Sequence, residues 1–171
     1  VDLDAGEIHT VTGQLALSGE GGDSKVTNVT LTFDDGADYV GNNWLFVEGL
    51  LTLNCAGEVT MDKPLRATNA TGNLKKSGVG ALIVPQNKDS SGFLTGTTEV
   101  AAGKLVFSER NGDISMSGKV TVAENATLEV KGAHTLTFTE AEVKGKVEAA
   151  DTASLALQAL KVAEGAAATL I

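Results

Sequence analysis

Aliphatic residues in this chain come in bursts too short to make a helix. Leu82–Val84, Leu105–Phe107, Ile114–Met116, Val120–Val122, Leu128–Val130, Leu136–Phe138, Leu155–Leu157 and Leu160–Val162 are parted by Gly, Asn, Asp and Glu. None extends the i, i+3, i+4, i+7 stripe of an amphipathic helix. Glycines at 72, 78, 80, 92, 96 and 103 would each cost a helix roughly 1 kcal/mol relative to alanine. Short strands joined by tight corners suit the same text, because glycine accepts the positive φ that corners often need.

A phrase recurs between the bursts: Val100-Ala101-Ala102-Gly103, Val122-Ala123-Glu124-Asn125 and Val162-Ala163-Glu164-Gly165. Each is a strand end, two small or acidic residues, then a residue able to adopt the left-handed conformation. Asparagine can stand in for glycine there because it tolerates that region better than other side chains. Repeats of roughly 20–25 residues built from short strands point to a solenoid. The expected class is therefore all-β, with two architectures to weigh. A right-handed parallel β-helix tolerates corners of variable length. An antiparallel β-sandwich would want Asn-Gly or Asp-Gly hairpins, and Asn111-Gly112 and Asp35-Gly36 supply some of that signal.

The stretch from Gly72 to Phe107 also carries a resemblance. Leu74-x-Lys76-x-Gly78-x-Gly80-x-Leu82-x-Val84, then Gly96-x-Thr98-x-Val100-x-x-Gly103-x-Leu105, resembles the passenger-associated β-strand repeat of autotransporter proteins. It departs from that pattern in the loop, where Gly92-Phe93-Leu94 replaces the usual aromatic. The resemblance favours the β-helix over the sandwich. It implies a non-catalytic passenger segment, secreted or displayed on the surface of a Gram-negative bacterium as a rigid spacer or adhesin. The partner so implied is a host or neighbouring-cell surface protein or glycan.

The amino-terminal part is less regular. Val26–Phe33 alternates cleanly, with Val29, Leu31 and Phe33 on one face and Thr30 and Thr32 on the other, and Asp34-Asp35-Gly36 closes it with turn chemistry. Trp44–Leu53 is the most apolar run and reads as two strands cornered at Glu48-Gly49; Val59–Met61 is a further short strand. The alanine-rich segments 140–147 and 151–164 are the places where helix is conceivable, but their triplets repeat those upstream and favour strands. One solenoid over residues 1–171 is expected, with irregular coils at 1–71 and repeat-like coils at 72–171.

Composition narrows the function. Aromatics make up 4% of the chain against 42% hydrophobic residues overall, so the core must be built from Val, Leu, Ile and Ala. A net charge of −9 repels phosphate backbones and anionic lipid, which argues against nucleic-acid partners and membrane adhesion. No apolar run approaches the roughly 20 residues that span a bilayer, so no membrane insertion is expected. Cys55 stands alone and reads as a small buried hydrophobe. The chain opens at Val1 without signal-peptide character and closes in mid-pattern at Ala-Ala-Ala-Thr-Leu-Ile, as a piece of a longer chain would.

Searching for chemistry yields little. His9 and His134 lie far apart in sequence and Cys55 has no partner motif, so no zinc site is expected. There is no G-x-S-x-G and no Walker loop, and neither a catalytic residue nor a cofactor is expected. The densest oxygen cluster runs from Asp34 to Asn43 without the order of a calcium-binding loop. Asp34, Asp35, Asp38, Tyr39 and Trp44 are the candidate ligand-binding residues, the carboxylates lining a groove and either ring stacking on a sugar. That group also carries the alternative function, a carbohydrate-active β-helix enzyme or an extracellular polysaccharide-binding module. Pro85–Gly92 is a second candidate binding loop.

Overall fold

The computed structural model describes residues 2–3, 6–15, 24–40, 45–63, 65–85, 96–108, 114–132, 135–150, 152–157, 159–162 and 169–170. Its strands, in chain order, are β1 (Asp2–Leu3), β2 (Ile8–Val11), β3 (Gln14–Leu15), β4 (Ser24–Phe33), β5 (Asp38–Tyr39), β6 (Leu45–Cys55), β7 (Val59–Thr60), β8 (Leu65–Ser77), β9 (Ala81–Pro85), β10 (Thr98–Val100), β11 (Lys104–Ser108), β12 (Ile114–Val122), β13 (Thr127–Val130), β14 (Thr135–Val143), β15 (Lys146–Ala149), β16 (Ser154–Leu157), β17 (Leu160–Val162) and β18 (Thr169–Leu170). Among the described residues there is no helix.

Among the described residues every strand pairing is parallel. The long sheet stacks in the order β1-β4-β6-β8-β10-β12-β14-β16, with β2 and β17 beside β4 and β14. The short sheet stacks as β18-β15-β13-β11-β9-β7, and β3 pairs β5. The chain alternates between sheets, so each circuit lays one rung on the last. This is a right-handed parallel β-helix. The Asp35-Gly36 signal turns the chain from β4 in one sheet to β5 in another, with Gly36 at φ 79°. A turn that changes sheets does not close a hairpin, and the sandwich is excluded.

In-register parallel pairing puts like side chains above one another, and the interior is a set of aliphatic columns. One runs Val59, Leu82, Leu105, Leu128, Val147 along the short sheet. Another runs Leu31, Leu53, Lys76, Val100, Val122, Val143, Val162 along the long sheet. Residues in these columns from Leu31 to Val147 are buried throughout. Burying apolar surface at roughly 25 cal/mol per Å² is the main stabilising contribution, and small branched chains fill the narrow interior without rings.

The corners explain the glycine pattern. Gly103 sits at φ 64° and Asn125 at φ 63°, so the recurrent phrase does end in left-handed residues at both described positions. Gly165 lies outside the described residues. Close approach matters as much as φ: a Cβ on Gly80 would lie 1.8 Å from the Gly57 carbonyl oxygen on the rung below. The apolar run after Trp44 departs from the two-strand expectation. β6 is one strand, bent at Gly49 (φ 71°), where its register against β8 shifts between Val47 and Gly49. The bend persists because neighbouring rungs bend with it. Asn28 (φ 50°) accepts the Leu50 amide on its Oδ1, Asn73 donates to the Gly49 carbonyl, and Thr97 donates its amide to Asn73.

Candidate functional site

The acidic corner after β4 is where the sequence placed a binding group. The turn closes with the Ala37 amide donating to the Asp34 carbonyl at 3.0 Å. Asp34 and Asp35 are exposed, as turn carboxylates are. Asp38 is half-buried and committed to the backbone: its Oδ1 accepts the Tyr39 amide at 2.8 Å and the Thr60 amide at 3.2 Å. It joins one rung to the next instead of facing a ligand.

Tyr39 points into the solenoid and is 2% exposed. Its ring lines a narrow apolar gap with Leu31, Phe33, Leu45, Val59 and Met61, with no room for a water molecule. The hydroxyl finds no hydrogen-bond partner among the described residues. Burial, and secondarily the Asp62 carboxylate, push its ionisation up to about 12. A ring enclosed this way offers no face to a sugar. Trp44, Gly41–Asn43 and residues 86–92 of the second loop lie outside the described residues. The structure thus brings Asp34, Asp35, Asp38 and Tyr39 into one corner, but only the first two reach solvent freely. Among the described residues no group of three His, Cys, Asp or Glu side chains converges to hold a metal ion.

The most unusual polar group is one that sequence reasoning saw only as a motif letter. Lys76 occupies an interior column position and is fully buried. Its ammonium donates to the carbonyl oxygens of Ser77 (2.7 Å), Gly78 (2.9 Å) and Ala102 (3.1 Å). These belong to the corner of its own rung and that of the next, so one cation fastens two successive turns of the coil. Desolvation lowers the Lys76 pKa below the ordinary lysine value, partly opposed by Cys55. Burial pushes the Cys55 thiol up to about 11, with Lys76 pulling the other way. A thiol held protonated in the core is chemically quiet. Only the placement of a lysine inside an alternating aliphatic run could have signalled this role.

The outer faces carry ion pairs between neighbouring rungs. Lys75 meets Glu99 at 3.1 Å and Lys119 meets Glu142 at 2.8 Å on the long sheet. On the short sheet Lys104 of β11 pairs with Glu129 of β13, while Lys146 and Glu148 pair within β15. Because the Lys75–Glu99, Lys119–Glu142 and Lys104–Glu129 pairs join different coils, they reinforce register more than they create a charged patch.

Fold and site together define a β-solenoid with a closed aliphatic core and ion pairs along its outer faces. No protein-family model, curated protein or solved structure matches the chain.

Proposed function

We propose that this chain is a non-catalytic stretch of a secreted or surface-displayed passenger resembling those of Gram-negative autotransporters, serving as a stiff spacer or adhesive surface. The observation that carries the reading is the unbroken parallel ladder over eight successive strands of the long sheet. Each rung contacts only its neighbours, so backbone hydrogen bonds run along one axis and resist bending. Function in such a rod lies in its length and in what it holds out at the end. The resemblance of Leu74–Leu105 to the repeat pattern supports export, and the net charge of −9 favours solubility and distance from anionic membranes.

Surface labelling tests the proposal. Antibody raised against residues 1–171 should bind intact cells of the source bacterium, and protease added outside should remove the signal. Labelling that needs permeabilised cells refutes surface display. Incubation with a panel of acidic polysaccharides should give no turnover; cleavage lost on Asp35→Asn would replace the spacer with an enzyme.

A further inference from the structure

The corners that carry the chain out of the long sheet do not all close in the same way. At 34–37 and 123–126 the corner closes on itself, with the Ala37 amide donating to the Asp34 carbonyl at 3.0 Å and the Ala126 amide to the Ala123 carbonyl at 3.1 Å. Corners 77–80 and 101–103 hold no such bond among the described residues; the Gly80 amide reaches instead to the Cys55 carbonyl on the rung below. Some carbonyls are then left over. The Gly57, Lys76, Gly80 and Gly103 oxygens each take an amide from the rung above, from Ala81, Ala101, Lys104 and Thr127 in turn. The Gly78 and Ala102 oxygens take no amide among the described residues. Buried carbonyls of this kind need a donor from elsewhere.

Those two oxygens and that of Ser77 converge on one point inside the coil, the position of the Lys76 ammonium. Ser77 and Ala102 each stand just before a left-handed glycine, Gly78 at φ 76° and Gly103 at φ 64°. The backbone of two successive rungs therefore sets the cage. An ammonium carries three N–H donors and no acceptor, so three carbonyls saturate it. The stem of Lys76 continues a column between Leu53 and Val100, both buried, and packs as their aliphatic chains do. Only its tip is specific. Ser77, Gly78 and Ala102 are themselves half-buried, which leaves a short path from solvent to the cage.

We infer that the corners at 77–78 and 102–103 form a binding site for a primary ammonium, built by the backbone of two coils and filled from within by Lys76. The site belongs to the oxygens and not to the side chain that occupies it. With the lysine cut back, the same oxygens take a free primary ammonium of matching length. Lys76→Ala removes Cγ, Cδ, Cε and Nζ, which are the heavy atoms of n-propylammonium. A quaternary ammonium has no N–H to offer, and a neutral alcohol offers one donor without charge, so neither replaces the lost tip.

Urea unfolding of the Lys76→Ala chain makes the test, with n-propylammonium chloride at about 100 mM as the probe. The salt should raise the Lys76→Ala midpoint by roughly 0.5 M and leave the native midpoint, whose site is filled, in place. Sodium chloride at equal concentration controls for screening of a chain of net charge −9. Tetramethylammonium chloride controls for a cation without donors, and 1-propanol for an uncharged chain of the same length. A gain confined to propylammonium supports the site. No gain, or an equal gain with any of the three controls, overturns it. Saturation-transfer NMR gives a reading independent of unfolding: propylammonium should receive magnetisation from the Lys76→Ala chain and not from the native one, and equal transfer from both counts against the site. Should Lys76→Ala not fold, Lys76→Val takes its place, filling the column as Val100 does in the next rung and leaving the tip open. Ammonium chloride should then raise the midpoint above that in equal sodium chloride, and no difference overturns the inference. All of this is measured on purified protein, so failure of surface labelling on cells leaves it unaffected.

Discussion

Replacing Lys76 with methionine separates two ideas about buried charge. Methionine keeps the length and apolar stem of the side chain, so column packing between Leu53 and Val100 survives. What disappears is the donor to three carbonyl oxygens, those of Ser77, Gly78 and Ala102. Hydrogen bonds to a charged group contribute roughly 1.5–3 kcal/mol each, which bounds the gross loss. Against this stands the desolvation of an ammonium that is 0% exposed, a penalty of several kcal/mol that methionine avoids. The carbonyls decide the balance. They are backbone groups that no substitution removes, and they sit at half-buried corners where water replaces the lost donor imperfectly. The expected net loss is about 2 kcal/mol, lowering the urea midpoint by roughly 1 M with an unchanged slope. Equal or greater stability for the Lys76→Met protein would refute the fastening role and show that the core merely tolerates the ammonium. The pH dependence has a definite sign. The folded-state pKa is depressed, so the folded chain loses this proton before the unfolded chain does. The charge penalty is present at neutral pH and relieved as pH climbs from the depressed value toward the ordinary lysine value. The native chain should therefore gain on the Lys76→Met chain across that window.

Other substitutions probe the corners, the core and the thiol. Gly80→Ala should cost about 3 kcal/mol or more by thermal or urea unfolding, because its Cβ would lie 1.8 Å from the Gly57 oxygen; Gly13→Ala, with open space around it, is the neutral control. Asn125→Ala should lose roughly 1–2 kcal/mol at φ 63° while Asn125→Gly stays within about 0.5 kcal/mol of native. Thr98→Val should stabilise by about 1 kcal/mol, since the Thr98 hydroxyl is buried in an aliphatic column without a partner among the described residues. The Cys55 thiol rises from 9.0 to about 11, so its contribution holds below pH 9 and is lost as pH rises through about 11, a change of roughly 2–3 kcal/mol. Cys55→Ala should flatten that part of the alkaline unfolding curve, and a maleimide should label native Cys55 only after unfolding.

The sequence showed the columns but not the fasteners. Alternation in Leu128–Val130 or Leu136–Phe138 dictates which residues face in, and the left-handed residues at Gly103 and Asn125 follow from the limited set of side chains that accept that backbone. Parallel rather than antiparallel stacking was harder to read, because an Asp-Gly turn closes a hairpin or changes sheets with the same local geometry. The burial of Tyr39 is hard to read from the sequence for a related reason. A residue beside three aspartates reads as surface, yet the period-two pattern of β5 turns its ring inward against Met61 and Leu31. Lys76 and Thr98 sit in phase with aliphatic neighbours, and single-residue polarity gives no warning that a polar group is meant to be buried. Asn28 has no distinguishing context at all; its positive φ is imposed by the matching bends of the rungs above it.

Along the short sheet the vertical partners Val59, Leu82, Leu105 and Leu128 are separated by a constant 23 residues. Losing or duplicating one such interval, residues 82–104 for instance, would return every later residue to a valid column. An interval of another size keeps the columns only where a corner absorbs the difference, as the 19 residues from Leu128 to Val147 do. A chain of this kind therefore changes its reach in whole coils, in steps of about 4.8 Å. Variation in length is then the easiest inheritance this architecture permits.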